Sequence, residues 1–420
     1  MSSDWHSQRL GDLIDIRGGL AYKSEEIDKG NARLLGMGCV SFDKRFLDGG
    51  CRRYSGEYKP QHLISPGELV IATRQQSDNL PILGFPAMVP DYLHPESTIV
   101  GTNLYKVENH SPYSNSYLYW LMRGDEYRDH IKARATGSTV RMITKDVVLD
   151  FCFKCPPPQE GKSIADFLDS FDDKIELNRK TNETLEAIAK ALFKSWFVDF
   201  DPVRAKAEVR PTGLPAEISN LFPDSFEESE LGEIPRGWEV VKLIDVADIN
   251  YGQNLPQPKL MEHGIPVFGA AGVIGYYSEA MFAEPIVLVT SRGSGSGTVH
   301  ETHGPAFVTN NSFSVTPKAG WFSRHYIRES LLNGDIVSLV TGSAQPQLTI
   351  TNFSHLEIIQ PAERVVTSFH EITESLWKKK LTDQEETCTL AALRDTLLPK
   401  LISGELRVPD AEALVAEAGL

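Results

Sequence analysis

The chain has 420 residues, 41% of them hydrophobic, and a formal net charge of −15. That length admits two or three globular domains with real cores, and its longest apolar runs are far too short to span a bilayer. With no charged-then-apolar leader at the N-terminus, a cytoplasmic protein is the expectation, and the acidic balance argues against a nucleic-acid binder that is basic throughout.

The charge is uneven. Residues 1–155 hold 19 Lys+Arg against 19 Asp+Glu, so that region is neutral and a basic loop on it could still meet DNA. Five cysteines (Cys39, Cys51, Cys152, Cys155, Cys388) make an odd, sparse set, which suits reduced thiols better than a disulfide framework. Cys152 and Cys155 form C-x-x-C, but FCFKC alternates like a strand and no second close pair exists. Half-buried thiols are therefore expected rather than zinc.

In chain order, LVIAT (69–73), IVGTNLYKV (99–107) and VVLDFCFKC (147–155) read as strands, and SNSYLYWLMRGDEYRDHIKARA (114–135) as a helix. After the prolines at 156–158, Ile164, Leu168, Phe171, Ile175, Asn178, Asn182, Leu185, Ala189, Leu192 and Trp196 step by four and three. That is the period of a coiled-coil seam, with two asparagines placed to fix register. Some 35 residues of such helix make a rod of roughly 50 Å. Residues 201–238, rich in proline, glutamate and glycine, read as an extended linker with few regular elements. PIVLVT (285–290) and AFVTNNSFSV (306–315) are strands again, FSRHYIRESLLNGDIVSLV (322–340) a helix. A second long helix covers about 365–402. Phe369, Leu376, Leu390, Leu397 and Leu401 keep its seam, Lys380 and Arg394 interrupt it, and Pro399 predicts a broken or kinked last turn.

The chain repeats itself. Residues 4–19 match 237–252 at a shift of 233, 69–74 match 287–292 at 218, 100–107 match 308–315 at 208, and both 135–144 and 185–197 recur at 205. The plan is variable domain, helix, variable domain, helix, with the second variable region 28 residues shorter. Each helix stripe must be buried, and its obvious partner is the other copy, lying antiparallel.

No catalytic motif survives inspection. Gly161-Lys162-Ser163 resembles the end of a phosphate loop, but the required first glycine falls on Pro156, so these residues start a helix instead. SRGSGSG (291–297) is not a dinucleotide turn. What repeats is polar loop chemistry. Thr73, Arg74, Gln75 and Gln76 match the loop holding Ser291, Arg292, Gly293, Ser294 and Ser296. Gly137, Ser138 and Arg141 match the loop holding Gly342, Ser343, Gln345 and Gln347. Single loops of this composition are usually ordinary turns. As a set in two copies they point to nucleic acid, since Arg and Gln grip base edges in two-pronged fashion and Gly and Ser admit a phosphate backbone.

LFKSWFVDFDPVRAK (192–206), PAEISNLFPDSFEESELGEIPRGWEV (215–240) and the doubled ATGST/VTGSA segments resemble the specificity subunit of type I restriction-modification systems, over essentially the whole chain. The resemblance implies an α+β protein with two α/β-mixed target-recognition domains, separated by two long helices in an antiparallel coiled coil, each domain reading half of a split DNA site. It implies no catalytic residue in this chain. S-adenosylmethionine, ATP and Mg would belong to partner subunits, namely two methyltransferases and the restriction/translocase subunits. On this plan residues 1–155 are recognition domain 1, 156–205 the first spacer helix, 206–236 a linker, 237–360 recognition domain 2, 361–410 the second spacer helix and 411–420 a tail. Trp196, Phe197 and Phe200 become candidates for partner docking or the coiled-coil end, with core packing the bland alternative for Trp196. A subunit of a methylation-only or related phage-defence complex would share this plan.

Overall fold

The computed structural model describes residues 5–75, 82–137, 140–318, 323–342 and 345–417. The chain divides into two units, Met1–Asn178 with Glu385–Leu420, and Arg179–Gln384. Both divisions fall inside long helices, Pro158–Phe197 and Glu363–Ser403, so each helix gives one part to each unit. No helix among the described residues is long and apolar enough to cross a membrane.

In the first unit Ile164, Leu168, Phe171 and Ile175 of the first helix share a core with Leu390, Leu397 and Leu401 of the second. In the second unit Phe193 and Trp196 share a core with Val366 and Phe369. Early residues of one helix meet late residues of the other in both units, so the pairing is antiparallel, as the repeat requires. The polar positions of the seam are answered across it. The Asn178 side-chain amide donates to Glu386 at 2.8 Å, and that of Asn182 to the Lys380 carbonyl at 3.4 Å. Lys380 pairs with Glu186, and the interior Arg394 with Asp172. The second helix runs through Pro399 to Ser403 without breaking. Proline costs it one bond within the last turn, where buried Leu398, Leu401 and Ile402 hold it in place.

Each unit carries the same sheets. In the first, strands Ile14–Gly18, Leu104–Asn109, Leu69–Ala72 and Pro86–Met88 form an antiparallel four-stranded sheet in that spatial order. In the second the order is Ala247–Tyr251, Ser312–Pro317, Val287–Thr290, Val299–Glu301. A three-stranded sheet accompanies each, with one parallel pair: Ile27–Leu35 beside Thr98–Val100, and Ile265–Gly269 beside Phe307–Val308. Two-stranded ribbons join the start and end of each domain, His6–Arg9 with Cys152–Cys155 and Glu239–Lys242 with Glu357–Gln360. Gly19 and its counterpart Gly252 are required by close approach. A Cβ would lie 2.0 Å from the Gly101 carbonyl oxygen at one and 2.2 Å from that of Thr309 at the other.

Several expectations change. The helix over 114–135 is two, Asn115–Arg123 and Asp125–Arg134, because Gly124 turns extended between them. Its counterpart ends at Asn333 before Gly334 in the same way. Residues 147–149 lie in the short helix Lys145–Leu149, where burial of Val148 overrides β-branched preference, and the strand begins only at Cys152. Cys152 is exposed and Cys155 buried on that strand, on opposite faces, so the C-x-x-C cannot clasp one ion. Residues 411–417 are helical rather than a tail, within Val408–Glu417.

The segment read as an extended linker is ordered. It holds the helix end at Ala207, a helical turn at Ala216–Ser219 and a hairpin, Phe226–Ser229 with Gly232–Pro235. Its composition hid a few large apolar residues that cover an aromatic cluster. Phe222 packs edge-on to Trp196 at 5.1 Å, and Trp238 lies 5.9 Å from both Phe197 and Phe200. Trp196, Phe197 and Phe200 are consequently interior, at 1%, 3% and 6% exposure. A docking role for them does not fit, because buried rings have no face left for a partner.

Arg394 and Asp172 form an ion pair between buried side chains, with Arg45 also on Asp172 at 3.1 Å. Arg394→Met should leave Asp172 half-compensated in the interior and lower stability by about 3 kcal/mol. Asp172→Leu combined with it should recover part of that loss. Urea unfolding of the two variants checks both signs.

Candidate nucleic-acid interface

The two matched loop pairs meet in each unit by the same bonds. In the first unit the Thr136 and Met142 amides exchange hydrogen bonds with each other's carbonyls (3.0 and 2.8 Å), Ile143 N–H donates to the Thr73 carbonyl (3.1 Å), and Thr73 N–H to that of Asn103 (3.1 Å). In the second, Thr341 and Gln347 exchange the same two bonds (2.9 and 2.8 Å), Leu348 N–H donates to Ser291 (2.9 Å), and Ser291 N–H to Asn311 (2.8 Å). Arg74 thereby stands opposite Met142, and Arg292 opposite Gln347. Backbone bonding satisfies the donors that a turn would otherwise leave open, so the frame does not depend on the side chains it presents.

Gly137 and Gly342 close the two turns at φ of +99° and +89°. A Cβ would come within 2.2 Å of the Val140 carbonyl oxygen at Gly137 and 2.6 Å of the Gln345 oxygen at Gly342. Only glycine fits both the backbone conformation and the space.

On this frame Arg74, Arg141, Arg292, Gly293, Ser294 and Gln345 are exposed, with Gly137 and Gly342. Arg74, Arg141 and Arg292 enter no ion pair among the described residues, whereas Arg9, Arg17 and Arg52 are each paired with a carboxylate. Ser296 and Gln347 are half-buried, and the Ser296 hydroxyl donates to the Gly293 and Pro346 carbonyls, both at 2.9 Å. Thr73, Gln75 and Ser291 are buried and do not reach solvent, contrary to expectation. Strand alternation turns Gln75 inward as it turns Arg74 out, and the Thr73 hydroxyl donates to the Asn103 carbonyl at 3.0 Å. Gln76, Ser138 and Ser343 lie outside the described residues.

Sequence reasoning passed over Met142, an exposed residue at the position equivalent to Gln347. Carrying the shift of 205 through the loop residue by residue would have found it. The same exercise places Arg141 opposite Pro346 and Val140 opposite Gln345. One backbone frame thus presents different side chains in its two copies.

A second matched feature fastens each domain to its helix. Asp169 accepts from Arg45 (2.9 Å), Ser116 (2.6 Å) and the Trp120 indole (2.8 Å). Its equivalent Glu374 is held by Arg324 and His325, both at 3.0 Å. His325, His370 and Glu374 bring ligand-type atoms within 4.8 Å of one another, but Arg324 already neutralises Glu374 and Ser323 holds His370 at 3.1 Å. This is a domain–helix clasp.

The family model for the type I restriction modification DNA specificity domain matches residues 2–187 and 235–365. The chain belongs to that family. It is a specificity subunit, the non-catalytic component that recognises DNA sequence. It is 28% identical over 318 residues to the type I restriction enzyme MjaIX specificity subunit of Methanocaldococcus jannaschii, covering 70% of each chain. It is 28% identical over 354 residues to the HindI specificity subunit of Haemophilus influenzae, covering 69% of this chain and 77% of that one. The crystal structure of a type I restriction-modification S subunit from M. genitalium shares the fold at a TM-score of 0.61 and 15% identity, over 96% of both chains.

Gly342→Ala should cost about 1–3 kcal/mol locally and speed hydrogen exchange at the Thr341 and Gln347 amides of this specificity subunit, with the first unit unchanged. Burial holds the His325 imidazole below its ordinary range, although Glu301 and Glu374 pull the other way. The folded form therefore takes up its proton at lower pH than an unfolded chain, which does so near pH 6.5, so stability should fall as pH drops through that value. Melting at pH 7.5 and 5.5 should show this acid loss, and His325→Gln should reduce it.

Proposed function

We propose that each unit reads one half of a bipartite DNA target through its two joined loops, residues 1–155 and 237–360 acting as the two target-recognition domains. The observation that supports this is the repeated frame carrying unlike side chains. Arg74, Arg141 and Met142 on one copy and Arg292, Gln345 and Gln347 on the other imply two different half-sites, hence an asymmetric target. These arginines, with no ion pair among the described residues, suit contact with guanine edges or phosphates.

In this reading residues 156–205 and 361–410 are the spacer helices on which two methyltransferase subunits dock, with restriction/translocase subunits joining the assembly. Residues 206–236 pack as part of the second domain's base. With Trp196, Phe197 and Phe200 interior, docking falls to the outward side of the first helix, where Leu177 and Ile188 are exposed. S-adenosylmethionine, ATP and Mg act in those partners, and the complex works in the cytoplasm.

Genome-wide mapping of N6-methyladenine in cells holding the partner methyltransferase tests the reading. Methylation of one split motif should require this chain. Arg292→Ala should weaken or relax one half-site by on the order of tenfold or more, and Arg74→Ala the other. Unchanged methylation at both halves in both variants would overturn it.

A further inference from the structure

Cys39 and Cys51 come together although they stand 12 positions apart in the chain, their sulfurs at 3.7 Å. The approach is made by backbone. Gly36 N–H donates to the Gly50 carbonyl at 3.0 Å and Leu47 N–H to that of Cys39 at 2.9 Å. A Cβ on Gly50 would lie 1.9 Å from the Cys39 nitrogen, so glycine at 50 lets the segment that ends on Cys51 press against Cys39. Cys39 is fully buried and Cys51 half-buried, which leaves one sulfur open to a small reagent and the other behind it.

We propose that Cys39 and Cys51 form a reversible disulfide, a modification site confined to the first unit. The reaction consumes one hydrogen peroxide. The Cys51 thiolate attacks the O–O bond, which breaks; Cys51 becomes a sulfenic acid and the released hydroxide leaves as water after protonation. The Cys39 thiol then attacks the Cys51 sulfur, the S–S bond forms, the S–O bond breaks, and a second water carries off the Cys39 proton. The hydrogen bond between the two sulfurs favours this order. It pulls the Cys51 thiol down, with burial and Asp48 opposing and Arg33 helping, and together with burial it pushes Cys39 up.

The closed loop would hold three anchors of the first domain. Phe42 stacks on Phe85 at 5.0 Å, Arg45 reaches Asp169 and Asp172 on the first long helix, and Asp48 accepts from the Tyr92 hydroxyl. Residues Arg179–Gln384 contain no cysteine at all. Oxidation therefore acts on one unit and leaves its structural copy untouched.

The test treats the full chain with hydrogen peroxide, alkylates it in denaturant and maps peptides by mass. The expected result is a Cys39–Cys51 linked pair about 2 Da lighter than the reduced peptides, released by dithiothreitol, with Cys152 and Cys388 still alkylated. Free, alkylated Cys39 and Cys51 after oxidation would overturn the proposal, as would Cys51 sulfinic acid without the link. In Cys39→Ala, dimedone should trap the sulfenic acid on Cys51. A misfolded variant leaves the mapping of the unmodified sequence decisive.

Discussion

Neither long helix can bury its apolar stripe alone, and the rest of the molecule follows from that constraint. Ile164, Leu168 and Phe171 need Leu390, Leu397 and Leu401, while Phe193 and Trp196 need Val366 and Phe369. The two parts of each helix therefore belong to different units, and each unit is completed by residues from distant parts of the chain. Polar seam positions add selectivity to this apolar attraction. Arg394 is answered in the interior by Asp172, and a slipped pairing would break that buried ion pair, leaving Arg394 with Asp395 and Asp172 with Arg45 alone.

The helices also supply the anchor for the globular parts. Asp169 and Glu374 occupy the same repeat position and each collects donors from the domain packed beside it. The chemistry of the donors differs: Arg45, Ser116 and Trp120 in one copy, Arg324 and His325 in the other. What is retained is a carboxylate on the helix answered by at least one arginine. Such a clasp lets a domain change most of its surface without losing its seat.

The frame of paired loops follows the same economy. Backbone bonds among Thr136, Met142, Ile143 and Thr73, and among Thr341, Gln347, Leu348 and Ser291, satisfy themselves. Exposed side chains on such a frame are free to vary without disturbing it. On the proposed function, this separation of scaffold from exposed side chains would let one fold serve different DNA targets.

Much of this was legible in the sequence. The shift that settles at 205 residues and the four-three stepping of apolar residues determined the duplicated plan, both long helices and their antiparallel pairing, since a stripe of that width has to be covered. The same shifts picked out the paired loops and Arg74, Arg141, Arg292 and Gln345 upon them. Tertiary structure alone decided which loop residues face water: Thr73, Gln75 and Ser291 share the composition of their neighbours and differ only in the face they occupy. It also decided that Trp196, Phe197 and Phe200 are interior, through Phe222 and Trp238 folding back over them from a segment whose prolines and glutamates read as linker. Local pattern specifies period and repeat. Which of two faces is buried depends on what the rest of the chain brings against it.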